Sequence, residues 1–194
     1  MTRHLTPDNV VSWIAELFEV GGGREYLGEP VTQAEHMLQG AALAESSGQS
    51  DEIVAAALLH DVGHLVDPDD RFSMDDTEDR HHENLGAEAL APFFPPVVVE
   101  CVRHHVAAKR YLCATNPRYF DRLSEASVHS LKLQGGPMSD DEVELFQRNP
   151  YVREIVQIRH LDDAGKQVGA DTPGFAHYAP LLQRLVDAHC GKAA

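Results

Sequence analysis

The sequence has few of the features that mark several common protein classes. It has three cysteines, Cys101, Cys113 and Cys190, an odd number with no Cys-x-x-Cys spacing. That disfavours a disulfide framework or a structural zinc site and suits a reducing cytoplasm. No apolar run approaches the roughly 18 residues of a membrane span, and the N-terminus, with Asp8 and Glu16, lacks the order of charges of a signal peptide. Positive charge is scarce: 16 Lys and Arg stand against 31 Asp and Glu, a formal net charge of −15. So acidic a chain repels phosphate backbones and anionic lipid, which argues against nucleic acid or membrane as a main partner. No stretch alternates with period two, so no sheet is expected. There is also no internal repeat, low-complexity tract or linker, and residues 1–194 read as one domain.

Helical periodicity and histidine are what the chain does have. Thr6-Pro7-Asp8 offers a cap and a proline in the first turn, Val10, Val11, Trp13, Ile14, Leu17 and Phe18 then recur at helical spacing, and Gly21-Gly22-Gly23 ends that helix. Thr32 with Glu35, and Ser139 with Glu142, have the spacing of capping boxes. Ile53 to His60 is apolar on almost every side, which predicts a central helix. Further helices are expected over Glu83 to Leu90, from Pro96 through His105, from Ser124 to Leu133, from Ser139 to about Arg148, from Tyr151 to Leu161, and around Tyr178 to Val186. Asn116-Pro117 reads as a turn and the acidic stretch Pro68 to Arg80 as a loop.

Twelve histidines in 194 residues is a high count. The sharpest local signal is His60-Asp61, at the end of the most apolar helix. Burying that pair without a partner is costly, and a divalent metal is a natural one, because imidazole supplies a neutral nitrogen and carboxylate a bridging charge. His36, His82, His105 and Asp162 also fall at expected helix ends or on packed helices, where a bundle can gather ligands in its interior. His4, His81, His104, His129, His160, His177 and His189 read as surface or structural, and Cys101 and Cys113 as small buried apolar groups. By spacing, Lys109 shares a helical face with His105, Arg159 lies one turn before Asp162, and His64 one turn after the His60-Asp61 pair.

His36, His60-Asp61 and Asp162 together resemble the metal signature of the HD-domain superfamily. Tyr26-Leu27-Gly28-Glu29, His60 to His64, His105 to Leu112, Gln134 to Met138, and Ile158-Arg159 through Gly165-Lys166 narrow the resemblance to the mixed-valent diiron oxygenases that cleave the carbon–phosphorus bond of organophosphonates. The resemblance covers nearly the whole chain. It implies an all-α HD-domain helical bundle with the metal site between its central helices. It also implies two iron ions, active as the Fe2+/Fe3+ pair: His36, His60, Asp61 and Asp162 at one, and Asp61, His82 and His105 at the other.

By the same resemblance, Tyr26 closes the open coordination position before substrate arrives, and Glu29 takes part in swinging it out. His64, Lys109, Ser127 and Arg159 bind the phosphonate oxygens. The implied partners are dioxygen and a small phosphonate, either 1-hydroxy-2-aminoethylphosphonate, giving glycine, or its trimethylammonio relative, giving glycine betaine, with an upstream hydroxylase supplying the substrate. Gln33 and a loop with Phe72, Asp75, Asp76, Glu78 and Asp79 are candidates to face the cationic end. Both substrates stay open, and the acidic, aromatic-bearing loop favours the trimethylated one. The competing readings are a metal-dependent HD-type phosphohydrolase on the same ligands and a non-catalytic metal- or phosphonate-binding protein.

Overall fold

The computed structural model describes residues 4–26, 28–67 and 77–191. Phe72, Asp75 and Asp76, and Leu27 of the Tyr26–Glu29 segment, lie outside the described residues. Those described form eleven helices: α1 Val10–Gly21, α2 Gln33–Ser46, α3 Asp51–Leu59, α4 Gly63–Val66, α5 His82–Leu90, α6 Pro96–Thr115, α7 Pro117–Phe120, α8 Glu125–Leu133, α9 Asp140–Gln147, α10 Val152–Ala164 and α11 Phe175–His189. Among the described residues the only extended pairing is an isolated bridge between Glu25 and Thr32. The fold is all-α, and no helix among these residues is long and apolar enough to cross a membrane.

The helix starts follow from local chemistry. Thr32 and Glu35 close a capping box on α2, and Ser139 and Glu142 close one on α9, so two otherwise unpaired backbone donors are satisfied at each. Pro96 opens α6 where its missing N–H costs nothing. Three expectations change. Thr6-Pro7-Asp8 leads into a turn, and Asn9 holds the cap position, its Oδ1 accepting from the Thr6 N–H at 2.8 Å and not from α1. Asn116-Pro117 opens the short helix α7, with Asn116 Oδ1 accepting from the Arg118 N–H at 3.2 Å. Helix α10 runs on to Ala164, so Asp162 lies in its last turn and not beyond it.

The centre of the bundle is α3. Every residue from Ile53 to Leu59 is buried, and the helix packs against α2, α6, α10 and α11. Burial of each large side chain there contributes about 1.5–3 kcal/mol. That removes any choice of face: α3 must lie inside, and it carries the two residues that follow it, His60 and Asp61, to the middle of the molecule. α2, α6 and α10 all pack on α3, α10 packs in turn on both α6 and α2, and α5 packs on α6. These are the helices that carry the other expected ligands.

Candidate metal centre

Asp61 follows His60 in the turn after α3 and is 3% exposed. Its two oxygens face opposite ways. Oδ2 lies 3.6 Å from His36 Nε2 and 3.4 Å from His60 Nε2, while Oδ1 lies 3.3 Å from His82 Nε2 and 3.1 Å from His105 Nε2. Asp162 Oδ1 adds a carboxylate on the first side, 3.3 Å from His36 Nε2. All six side chains are buried. The arrangement depends on a close approach at Gly63: a Cβ there would lie 1.9 Å from the His82 carbonyl oxygen. Only glycine lets α4 seat α5 so that His82 reaches Asp61.

The donor chemistry fits metal ions. His36 Nδ1 faces the Gly165 carbonyl at 2.9 Å, His60 Nδ1 that of Ala57 at 2.9 Å, and His105 Nδ1 that of Val102 at 2.8 Å. A carbonyl oxygen only accepts, so these nitrogens carry the hydrogens and the Nε2 lone pairs point inward. Yet His36 Nε2 and His60 Nε2 are 3.0 Å apart, and His82 Nε2 and His105 Nε2 are 3.1 Å apart. Facing lone pairs at that distance repel unless positive charge lies against both. Two imidazole nitrogens about 2.1 Å from one divalent ion, at right angles, stand about 3.0 Å apart. Asp162 Oδ1 is buried and accepts no hydrogen bond, which is costly unless a cation meets it. Nitrogen and carboxylate donors without thiolate suit iron or manganese better than a soft metal.

The electrostatics of the two sides differ. Burial opposes charging His60, but Asp61 and then Asp162 pull its pKa up to about 9. Burial, and then His64, press His82 down to about 3. Burial also works against both carboxylates. His60 nevertheless holds Asp61, and Arg159 holds Asp162, well below the usual carboxylate range.

A small cavity opens beside these donors. Lys109, 3% exposed, and Arg159, 4% exposed, both line it. Lys109 Nζ donates to Ser130 Oγ at 2.7 Å, and burial, reinforced by Arg159, lowers its pKa to about 7. Arg159 Nη1 donates to Asp162 Oδ2 at 2.6 Å, and its Nε donates to Tyr119 Oη at 2.8 Å. Its Nη2 pairs with Asp163. His64 lines the same cavity, its ring stacked on His82 with centroids 3.8 Å apart. Gln33 opens α2 and presents a buried Oε1 that accepts no hydrogen bond. Asp79 lines the cavity, whereas Glu78 is exposed.

Tyr26 also lines the cavity, and its ring stacks on His36 at 3.9 Å and 15°. Burial, then the carboxylates of Asp162 and Asp61, keep its phenol protonated well above the ordinary range. Glu29 meets Tyr26 through the main chain, its N–H donating to the Tyr26 carbonyl at 2.7 Å. Its Oε1 accepts from Ser124 Oγ at 2.6 Å and from Lys166 Nζ at 2.9 Å. Lys166 Nζ also stands 5.6 Å from the Tyr26 ring centroid.

Ser127 does not line that cavity, whereas His64, Lys109 and Arg159 do. It is buried, but its Oγ accepts from Ser124 and Lys166 at 3.1 and 3.3 Å, and Ser130, one turn later, is the hydroxyl that meets Lys109 in the cavity. Sequence reasoning missed Ser130, Tyr119, Asp163 and Lys166 in these roles. For Lys166 a signal existed, since it closes the Gly165-Lys166 segment. For Asp163 a signal also existed, since it lies four residues after Arg159 on the same helix; for Tyr119 there was none, because it reaches Arg159 only through the packing of α7 on α6 and of α6 on α10.

A family model for the HD domain matches residues 34–146. A [1-hydroxy-2-(trimethylamino)ethyl]phosphonate dioxygenase (glycine-betaine-forming) from Leisingera caerulea is 59% identical over 187 residues, covering 96% of this chain and 95% of that protein. A hydroxymethylphosphonate dioxygenase from Gimesia maris (strain ATCC 29201 / DSM 8797 / 534-30) is 44% identical over 183 residues, 94% of this chain and 90% of its own.

Proposed function

The chain belongs to the HD domain family, and from that premise we propose that it is an iron-dependent dioxygenase cleaving the carbon–phosphorus bond of 1-hydroxy-2-(trimethylammonio)ethylphosphonate. The products are glycine betaine and phosphate. The observation that carries the reading is Asp61, with a histidine pair at each oxygen, at the wall of a cavity whose other groups include buried Lys109 and Arg159. The 59% identity to a relative named for this substrate supports the trimethylated compound over the primary amine. We take residues 1–194 as one domain working in the cytoplasm, a reducing setting that suits three free cysteines.

In this reading His36, His60, Asp61 and Asp162 hold one iron, and Asp61, His82 and His105 hold the other. When bound, the two ions, as the Fe2+/Fe3+ pair, supply the redox chemistry that activates dioxygen and oxidises the hydroxyl-bearing carbon. The chain's own residues do the rest. Lys109, Arg159 and His64 bind the phosphonate, and a dianion in so confined a space needs several such donors. Ser127 supports them from behind, through the cluster it shares with Ser124 and Lys166. Gln33 and Asp79 face the cationic end of the substrate. Tyr26 covers His36 until substrate enters, and Glu29 anchors the segment that carries it.

The reaction consumes one dioxygen. The carbon–phosphorus bond breaks, one oxygen atom completes the carboxylate and the other completes the phosphate, and one proton is released. The substrate's hydroxyl must come from an earlier hydroxylation of the carbon next to phosphorus. The test is to supply the trimethylammonio substrate with ferrous iron and measure phosphate and dioxygen together. Equal amounts of phosphate released and dioxygen consumed are expected. Phosphate release that persists with manganese under argon would replace this reading with a hydrolase, and tight binding without turnover would replace it with a binding protein.

A further inference from the structure

Among the four inward-facing imidazoles, His82 is steered differently. The Nδ1 atoms of His36, His60 and His105 each face a main-chain carbonyl at 2.8–2.9 Å. His82 Nδ1 has no such carbonyl among the described residues and faces Glu83 Oε2 at 3.6 Å. Glu83 is 8% exposed, and its Oε2 is buried without a hydrogen-bond partner. A buried carboxylate oxygen lacking a donor thus stands beside a ring nitrogen able to supply one, about half an ångström beyond hydrogen-bond range.

The surroundings hold Glu83 in place. Its Oε1 lies 3.5 Å from His81 Nδ1 and 3.5 Å from Asn84 Nδ2. His81 adopts φ 53°, left-handed backbone that side chains rarely take. Its main-chain N–H donates to Asp79 Oδ1 at 3.2 Å, and its ring Nδ1 lies 3.3 Å from Asp79 Oδ2. This turn immediately precedes α5 and aims both His82 and Glu83.

We propose that Glu83 is a positioning residue for His82: it accepts the Nδ1 hydrogen, fixes the tautomer, and keeps the Nε2 lone pair directed at the ion on the Oδ1 side of Asp61, while His81 and Asp79 brace it. The inference rests on the two-ion reading above. A carboxylate behind an imidazole ligand raises its basicity, and removing such a group costs about 10–100-fold in metal affinity. Asp79, His81 and Glu83 have ligand atoms within 4.8 Å of one another and could instead hold a cation of their own. The unused Glu83 oxygen faces His82, which favours the positioning role.

The experiment is equilibrium dialysis of the metal-free full chain against Mn2+, with thermal unfolding of each metal-free variant alongside. The wild type is expected to bind two ions. Glu83→Ala should keep one at wild-type affinity and weaken the other about 10–100-fold, and Glu83→Gln, whose amide oxygen still accepts, should restore part of the loss. Should Glu83→Ala fail to fold, His81→Ala carries the test by weakening the same ion several-fold. Two ions at wild-type affinity in the variants would overturn the proposal. So would three ions in the wild type falling to two in Glu83→Ala. A single ion in the wild type would overturn it together with the two-ion reading.

Discussion

The two sides of Asp61 are built by different means. On the Oδ2 side, donors come from α2, the end of α3 and α10, and Asp162 is itself held by Arg159. On the Oδ1 side, His82 follows a left-handed residue and is seated by a glycine contact, with His105 from α6 completing the set. The first side concentrates negative charge, which lifts His60 to about 9, whereas the second is buried among imidazoles, which presses His82 to about 3. One carboxylate therefore joins a half with a second carboxylate donor, Asp162, to a half whose other donors are imidazoles alone. The half with fewer protein donors is expected to bind its ion more weakly.

The largest effect should come from removing what the halves share. Asp61→Ala is expected to lose both ions and lower turnover on the order of 10³-fold, read by metal analysis and phosphate release. If one ion stays at wild-type affinity, the two sides do not share this ligand.

A break confined to one half should follow from Gly63→Ala. The new methyl cannot coexist with the His82 carbonyl, so α5 must shift, at about 3 kcal/mol. Thermal unfolding and metal content should show lower stability and preferential loss of the Oδ1-side ion. Equal loss of both ions would erase the distinction.

Lys109→Met should spare both halves and weaken substrate binding. A charge-assisted contact is worth about 2 kcal/mol, so KM rises roughly 30-fold with metal content unchanged. Its pKa is lowered to about 7, so the free enzyme loses this positive charge as pH rises through 7. kcat/KM should then fall as pH rises above that point and level off roughly 30-fold lower, and the slope should vanish in Lys109→Met. An unchanged slope would assign the titration to another group.

The smallest effect tests the scaffold alone. Thr32→Ala removes the cap of α2, which carries His36, and should cost about 1 kcal/mol of stability with ion binding unchanged. A selective loss of the Oδ2-side ion would mean that His36 is less firmly held than its carbonyl contact implies.

The helices were legible because their signals are local. The capping boxes at Thr32 and Ser139, Pro96, and the unbroken apolar run of α3 each act within a few residues. The six donors were legible through their types, positions and the resemblance they carry, and all six converge. The phase of a helix is readable from sequence, but the neighbour it meets is not. Ser127 and Ser130 lie one turn apart on α8, and only packing puts Ser130 against Lys109. Asp162 seemed to follow a helix because Asp162-Asp163 ends the apolar pattern, yet α10 continues through both, stabilised there by their pairs with Arg159. Glu83 was invisible as a partner of His82, since neighbours in sequence on a helix seldom face each other, and the left-handed turn at His81 carries no residue-type signature.

Two of the inward rings take their aim from the spiral they ride on. His60 and His105 are tethered to carbonyls three positions earlier, Ala57 and Val102. Their bearing is thus inherited from helical pitch and owes nothing to flanking side chains. Over evolutionary time the surrounding wall can change its composition without misdirecting these two nitrogens, provided the coil beneath them stays wound.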